Sequence, residues 1–477
     1  MNTMRYISTR APAGAGGKPF DAVLLEGLAP DGGLYVPEAW PHFDAAWFRA
    51  LRGLSYAEIA ARVTLPFIGD TMSEAAWRDL VADAYRGFDH KAVAPLRQLS
   101  GDLWLLELFH GPTLAFKDYA LQLVGRLFDH VLKHQKKRVT IIGATSGDTG
   151  SAAIEACRDR EALDIFMLYP AGRISEVQRR QMTTVPAPNV HAMAIDGSFD
   201  DCQDLVKAMF ADARFRGELA LSAVNSINWA RIMAQVVYYV TAAVELGAPE
   251  RAVSFAVPTG NFGNVYAAHV ARRMGLAVAR LIVATNRNDI LARFFREGAM
   301  TLGTVEPTIS PSMDIQVSSN FERLYFELAG RDGAKTAAAF AEFRKSGRLP
   351  VGKGEWQAAR KLFDAERVDE DETKAAIASA WRDWGVLLDP HSAVALAAAK
   401  RAKRDPAVPL VVAASAHPAK FPEAVEAASG QRPDVPPRLA NLLALPERLN
   451  RLPNRLKAVE DFIRARARLG AAQGAAR

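Results

Sequence analysis

Four apolar runs, each broken by a turn and followed by a helical pattern, set the tightest limit on what this chain can fold into. Leu103 to Leu108 leads into Phe109-His110-Gly111-Pro112-Thr113. After it Ala120, Leu123, Val124, Leu127, Phe128 and Val131 recur at the spacing of one helix face. Val139 to Ile142 leads into Gly143-Ala144-Thr145-Ser146-Gly147-Asp148-Thr149-Gly150 and a helix through Ala156. Val253 to Val257 leads into Pro258-Thr259-Gly260-Asn261-Phe262-Gly263-Asn264 and a helix to Met274. Val408 to Ala413 leads into Ser415-Ala416-His417-Pro418-Ala419-Lys420-Phe421 and another helix. Ile165 to Leu168 and Leu281 to Ala284 read as further strands. Strands alternating with helices predict an α/β architecture with a mainly parallel sheet. In such sheets ligands gather at the carboxyl ends of the strands, where all of these turns fall.

The rest of the chain divides around that pattern. Residues 1–95 are expected to form a separate small lobe, with a Pro30-Asp31-Gly32-Gly33 turn and helices at Tyr56 to Val63 and from an N-cap at Ser73 to Tyr85. Residues 96–429 make the α/β body as two subdomains, with a helical insertion at about 330–385. There Asp369-Glu370-Asp371-Glu372 places negative charge at a helix start, where the dipole favours it. Residues 430–477 form a proline-bearing tail with a basic amphipathic helix from about Leu456, expected to pack on the body.

Composition excludes several classes of function. The net charge of +6 arises from 59 basic and 53 acidic residues mixed along the chain, so no basic face marks a nucleic-acid partner. Cys157 and Cys202 are too few for a disulfide framework or a four-cysteine zinc site. No apolar run approaches the ~18 residues that span a bilayer, and Met1 to Arg10 holds no apolar signal core. A cytoplasmic enzyme without membrane or nucleic-acid partners is the expectation.

Three features can carry chemistry. Lys117 sits where a loop becomes a helix, either as a solvated first-turn residue or as an amine in a partly dry site that can form a Schiff base. The Gly260 to Asn264 turn, between a strand and a helix, can direct N–H groups at a phosphate. The Gly143 to Gly150 turn lacks the Gly-Lys-Ser/Thr ending of a P-loop, and offers hydroxyls and N–H groups to a carboxylate or phosphate. His110, His391 and His417 lie beside turns without His-x-x-x-His or similar spacing, so they suggest no metal. Lysine, phosphate cradle and a hydroxyl at another strand end are together the parts of a pyridoxal phosphate site.

Read in order, the motifs resemble the threonine synthases of the longer, microbial and fungal type, among the tryptophan-synthase-β-like (fold type II) pyridoxal phosphate enzymes. The resemblance runs from Tyr6-Ile7-Ser8-Thr9-Arg10 and Asp31-Gly32-Gly33-Leu34-Tyr35-Val36-Pro37, through Phe116-Lys117-Asp118 and Thr145-Ser146-Gly147-Asp148-Thr149-Gly150. It continues through Asn225-Ser226-Ile227-Asn228-Trp229, Gly260 to Asn264 and Pro311-Ser312-Met313-Asp314-Ile315 to Ser415-Ala416-His417-Pro418-Ala419-Lys420-Phe421. It implies that Lys117 carries the cofactor, that Gly260, Asn261, Phe262, Gly263 and Asn264 bind its phosphate, and that Ser415 meets the pyridine nitrogen. The family often has threonine at this last position, and serine keeps the hydroxyl. Thr145, Ser146, Gly147, Asp148 and Thr149 would hold the substrate carboxylate and face the ring hydroxyl. Asp148 stands where many relatives outside the long-chain group have asparagine. Arg231 and Asp314 are candidates for the substrate phosphate. The implied reaction turns O-phospho-L-homoserine and water into L-threonine and phosphate, in a monomer or weak homodimer. The rivals are a phospho-lyase or a threonine dehydratase releasing 2-oxobutyrate, and, from another class, a cofactor-free binding protein in which Lys117 is incidental.

Overall fold

A computed structural model describes residues 4–223 and 225–468; the last residues of the tail, 469–477, lie outside it. The chain forms two compact units. One comprises the chain up to Leu24, Leu28–Phe116 and Ser226–Asp434, the other Leu25–Gly27, Lys117–Asn225 and the chain from Val435 on.

The first unit is built on a six-stranded sheet in the order Phe363–Arg367, Val278–Thr285, Val253–Pro258, Leu410–Ala414, Leu103–Glu107, Leu96–Gln98. The first five strands are parallel and the last is antiparallel. Leu410–Ala414 is buried at every position, as a strand covered on both faces must be. The helix Pro390–Arg401 lies against the sheet, and its alanine-rich face lets it approach closely: Ala393, Ala395, Ala398 and Ala399 are all fully buried.

The second unit carries a five-stranded, wholly parallel sheet in the order Asn450–Pro453, Val190–Asp196, Leu163–Pro170, Val139–Ala144, Leu221–Ser222. Its helices Lys117–His134 and Asp148–Cys157 touch at Gly125, where a Cβ would lie 2.9 Å from the carbonyl carbon of Ala156. The obstacle is backbone, so the helices would have to part. Gly125→Ala is expected to destabilise the protein by roughly 1–3 kcal/mol, seen as a lower thermal midpoint of the cofactor-free form.

Three stretches set apart in the sequence have places in these units. Most of residues 1–95 lie in the first compact unit. The Glu322 carboxylate accepts from Thr9 Oγ1 at 2.6 Å and from Arg10 Nη2 at 2.6 Å, and Asn228 Nδ2 donates to the Leu24 carbonyl at 2.8 Å. The stretch 330–385 contains the helices Gly333–Ser346, Lys353–Arg360 and Glu370–Trp384, but also the strand Phe363–Arg367 at the sheet edge. The tail from Val435 on belongs to the second unit, and its basic helix packs on the body as expected. Asn450–Pro453 extends its sheet, and the helix Leu456–Arg464 buries Val459 and Ile463 in a core with Phe166 and Phe215.

Candidate active site

The second unit brings Lys117 and the hydroxyl loop together. Lys117 opens an 18-residue helix and is only 8% exposed, which excludes the solvated reading. Its Nζ lies 3.7 Å from Asp148 Oδ2. Asp148 is itself buried and its other oxygen accepts from Gln178 Nε2 at 3.0 Å. At the first position of the Asp148–Cys157 helix its charge is also favoured by the helix dipole. Gly147 turns the chain into that helix with φ 135°, a conformation suited to glycine. Thr145 Oγ1 accepts the N–H groups of Gly147 at 2.9 Å and Gly150 at 2.8 Å, so this hydroxyl shapes the loop. Ser146 and Thr149 are half-buried, and neither hydroxyl has a hydrogen-bond partner among the described residues. Of the five loop residues singled out by sequence, these two are free to meet a substrate.

The first unit contains the Gly260 to Asn264 turn expected to hold a phosphate. After Val253–Pro258 the chain passes through Gly260 and Asn261 to Phe262, whose left-handed φ of 63° starts the Gly263–Arg273 helix. That conformation is unfavourable for phenylalanine. Its ring is locked among Phe295, Phe321 and Phe363, with the Phe321 centroid 5.4 Å away. Space in the turn also favours glycine: a Cβ on Gly260 would lie 3.0 Å from the Ser312 carbonyl oxygen. The Gly260 carbonyl accepts from Ser318 Oγ at 2.7 Å, and the Asn261 carbonyl from the Asn320 side chain at 3.0 Å. The N–H groups of Gly260 through Asn264 have no protein acceptor among the described residues. Five N–H groups at a helix N-terminus are a fitting receptor for a phosphate. Asn264 Oδ1 accepts from both Tyr238 and Tyr239 hydroxyls, and its buried Nδ2 has no acceptor among the described residues.

Ser415 follows the strand Leu410–Ala414 and is held by its backbone. Its N–H donates to Ser392 Oγ at 2.9 Å, and its carbonyl accepts from the N–H of Phe116, the residue before Lys117, at 2.7 Å. The Ser415 hydroxyl has no protein partner among the described residues and is available to a ring nitrogen. Lys420, fully buried, donates to the Thr113 carbonyl at 2.7 Å and pins the turn that precedes Lys117. His417 caps the short Pro418–Lys420 turn by accepting the Ala419 N–H at 3.2 Å, and burial lowers its pKa to about 4.

The two phosphate candidates part company. Arg231, 4% exposed in the first turn of the Trp229–Glu245 helix, buries Nε and Nη1 with no acceptor among the described residues. Loss of hydration pulls its guanidinium down to about 10. A dry, unpaired cation is costly until an anion arrives. Asp314 is a different case. Its Oδ1 accepts from Asn286 at 2.7 Å, Asn288 at 3.0 Å and Thr308 Oγ1 at 2.7 Å, and its Oδ2 accepts from the Thr308 N–H at 2.8 Å. A carboxylate so engaged clamps its loop, and its charge opposes that of a phosphate.

Sequence reasoning passed over the supports: Gln178 behind Asp148, Tyr238 and Tyr239 behind Asn264, and Asp389 and Ser392 behind Ser415. The last pair had a visible signal, since Asp389-Pro390 is an N-cap followed by proline at the first helical position. Among the described residues no group of three or more His, Cys, Asp or Glu side chains is arranged to hold a metal.

Three family models cover the chain in turn: threonine synthase N terminus over residues 5–85, pyridoxal-phosphate dependent enzyme over 90–342, and threonine synthase, C-terminal, over 392–463. The threonine synthase of Pseudomonas aeruginosa is 55% identical over 461 residues, 96% of this chain and 98% of that protein. The chain belongs to the threonine synthase family. A PLP-bound threonine synthase from Brucella melitensis superposes with a TM-score of 0.95 at 52% identity, covering 98% of this chain and all of that one. The yeast threonine synthase structure gives 0.92 at 38% identity, over 97% of this chain and 99% of its own. The fold is that of the fold type II pyridoxal phosphate enzymes and the cofactor is pyridoxal 5'-phosphate. The residues present fit that group: a buried amine, a ring of open N–H groups and an open serine hydroxyl.

Proposed function

We propose that the chain converts O-phospho-L-homoserine and water into L-threonine and phosphate, the last step of threonine biosynthesis. The observation that carries this reading is similarity to threonine synthases along nearly the whole chain, at up to 55% identity over 96% of it. When bound, pyridoxal phosphate supplies the electron sink that makes the substrate Cα–H acidic and allows the γ-phosphate to leave. Lys117 tethers the cofactor, then takes the proton from Cα and handles the proton at Cβ where water adds. Asp148, 3.7 Å from the amine, stabilises its protonated form between transfers. The Gly260 to Asn264 N–H groups hold the cofactor phosphate, and the Ser415 hydroxyl meets the pyridine nitrogen. A hydroxyl there, unlike a carboxylate, does not keep that nitrogen protonated, which favours elimination and replacement over transamination. Ser146 and Thr149, with the N-terminal amides of the Asp148–Cys157 helix, receive the substrate carboxylate. Arg231 receives the substrate phosphate. The enzyme is read as cytoplasmic, a monomer or weak homodimer.

The test supplies O-phosphohomoserine to the cofactor-loaded protein and separates threonine from 2-oxobutyrate. Threonine is the expected main product; predominance of the oxo acid would replace the synthase reading by a phospho-lyase. Arg231→Met is expected to raise KM for O-phosphohomoserine by roughly 10- to 100-fold, the worth of a hydrogen bond to a charged group. An unchanged KM would remove Arg231 from the phosphate site.

A further inference from the structure

The carboxylate of Asp389, which stands behind Ser415, is buried completely. It caps the Pro390–Arg401 helix by accepting the N–H groups of His391 at 3.0 Å and Ser392 at 3.3 Å. Capping alone needs nothing more. Yet the same carboxylate also accepts from His391 Nδ1 at 2.8 Å and from the Ser392 hydroxyl.

Each of those two bonds fixes what its donor can do next. Ser392 has one hydroxyl proton, and with that proton given to Asp389 its oxygen is left to accept the Ser415 N–H at 2.9 Å. His391 places its proton on Nδ1, so Nε2 carries the lone pair that accepts the Ser312 N–H at 3.2 Å. Ser312 is the residue whose carbonyl oxygen sits 3.0 Å from the Cβ position of Gly260. One branch therefore ends on the serine for the pyridine nitrogen, the other on the floor of the phosphate turn.

We infer that Asp389 is a positioning residue for the cofactor, aligning Ser415 through Ser392 and the Gly260 turn through His391 and Ser312. The inference rests on the reading that Ser415 and Gly260 to Asn264 hold the cofactor. Asp389→Asn is the sharpest probe, because it keeps size and one acceptor oxygen but turns the other arm into a donor. Either the Ser392 hydroxyl must turn away from Asp389, or the His391 proton must move to Nε2, where it would face the Ser312 N–H donor to donor.

The experiment titrates pyridoxal phosphate into the cofactor-free protein, reading the dissociation constant and absorbance maximum, and records the cofactor-free melting temperature. Asp389→Asn and Ser392→Ala are expected to weaken cofactor binding by about five- to tenfold, the worth of one or two hydrogen bonds, and to shift the absorbance as Ser415→Ala does. His391→Leu should weaken binding as well. His391→Gln should recover most of it, since its amide oxygen can accept the Ser312 N–H. A lowered melting temperature with unchanged affinity and spectrum in Ser392→Ala and His391→Leu would leave only a helix cap and overturn the inference, even were Asp389→Asn not to fold. Unaltered binding and spectrum in Ser415→Ala would overturn it differently, by removing the reading of Ser415 beneath it.

Discussion

Replacing Lys117 with alanine is expected to lower turnover by about four orders of magnitude or more and to abolish the visible absorbance of bound cofactor. The size of the effect follows from one amine doing two jobs, tethering the cofactor and moving protons at Cα and Cβ. Asp148, 3.7 Å from it, is a carboxylate that cannot form the tether. Lys117→Arg keeps the positive charge beside Asp148 but supplies a guanidinium that stays protonated and makes no Schiff base, so the same loss is expected. Steady-state assay with O-phosphohomoserine and an absorbance scan check both variants. Turnover within tenfold of the parent in either would exclude Lys117 as the cofactor lysine.

Arg323→Met should produce the largest loss of stability, about 3–5 kcal/mol, measured as a lower urea midpoint of the cofactor-free protein. Arg323 is fully buried, and loss of hydration pulls its guanidinium down to about 10. It repays that cost by donating to the Tyr35 carbonyl at 3.0 Å, the Ile227 carbonyl at 2.6 Å and the side-chain oxygen of Asn320. Methionine matches much of its volume and none of its donors, so all three hydrogen bonds are lost. Because Asn320 holds the Asn261 carbonyl, cofactor affinity should fall along with stability. A midpoint shift worth less than about 1 kcal/mol would mean that water reaches these acceptors.

Local physics made much of this legible beforehand. Ser73 and Asp369 announce helix starts by side-chain chemistry, and both are N-caps, Asp369 in a capping box with Glu372. The strand–turn–helix runs were readable because parallel strands buried on both faces need unbroken apolar stretches. Edge strands escape such reading: Phe363-Asp364-Ala365-Glu366-Arg367 carries charge at three of five positions, as solvent-facing edges do. The surroundings of Asp314 were not legible, because nothing local reveals that Asn286, Asn288 and Thr308 hold it. Lys117 stayed ambiguous in its own sequence for the same reason, since its burial depends on neighbours supplied from elsewhere in the chain.

The order of strands in the first sheet also bears on how the protein is made. Leu103–Glu107 pairs with Leu410–Ala414, and between them the chain synthesises the strands of the second unit from Val139 to Ser222. At ribosomal rates of roughly 5–20 residues per second, the earlier strand waits about 15–60 s for its partner. Through that interval Leu103, Leu105 and Leu106 have an incomplete sheet around them, and the strand is open to pairing with other chains. The nascent chain should therefore depend on factors that shield apolar segments at the ribosome more than the finished enzyme does on its own stability.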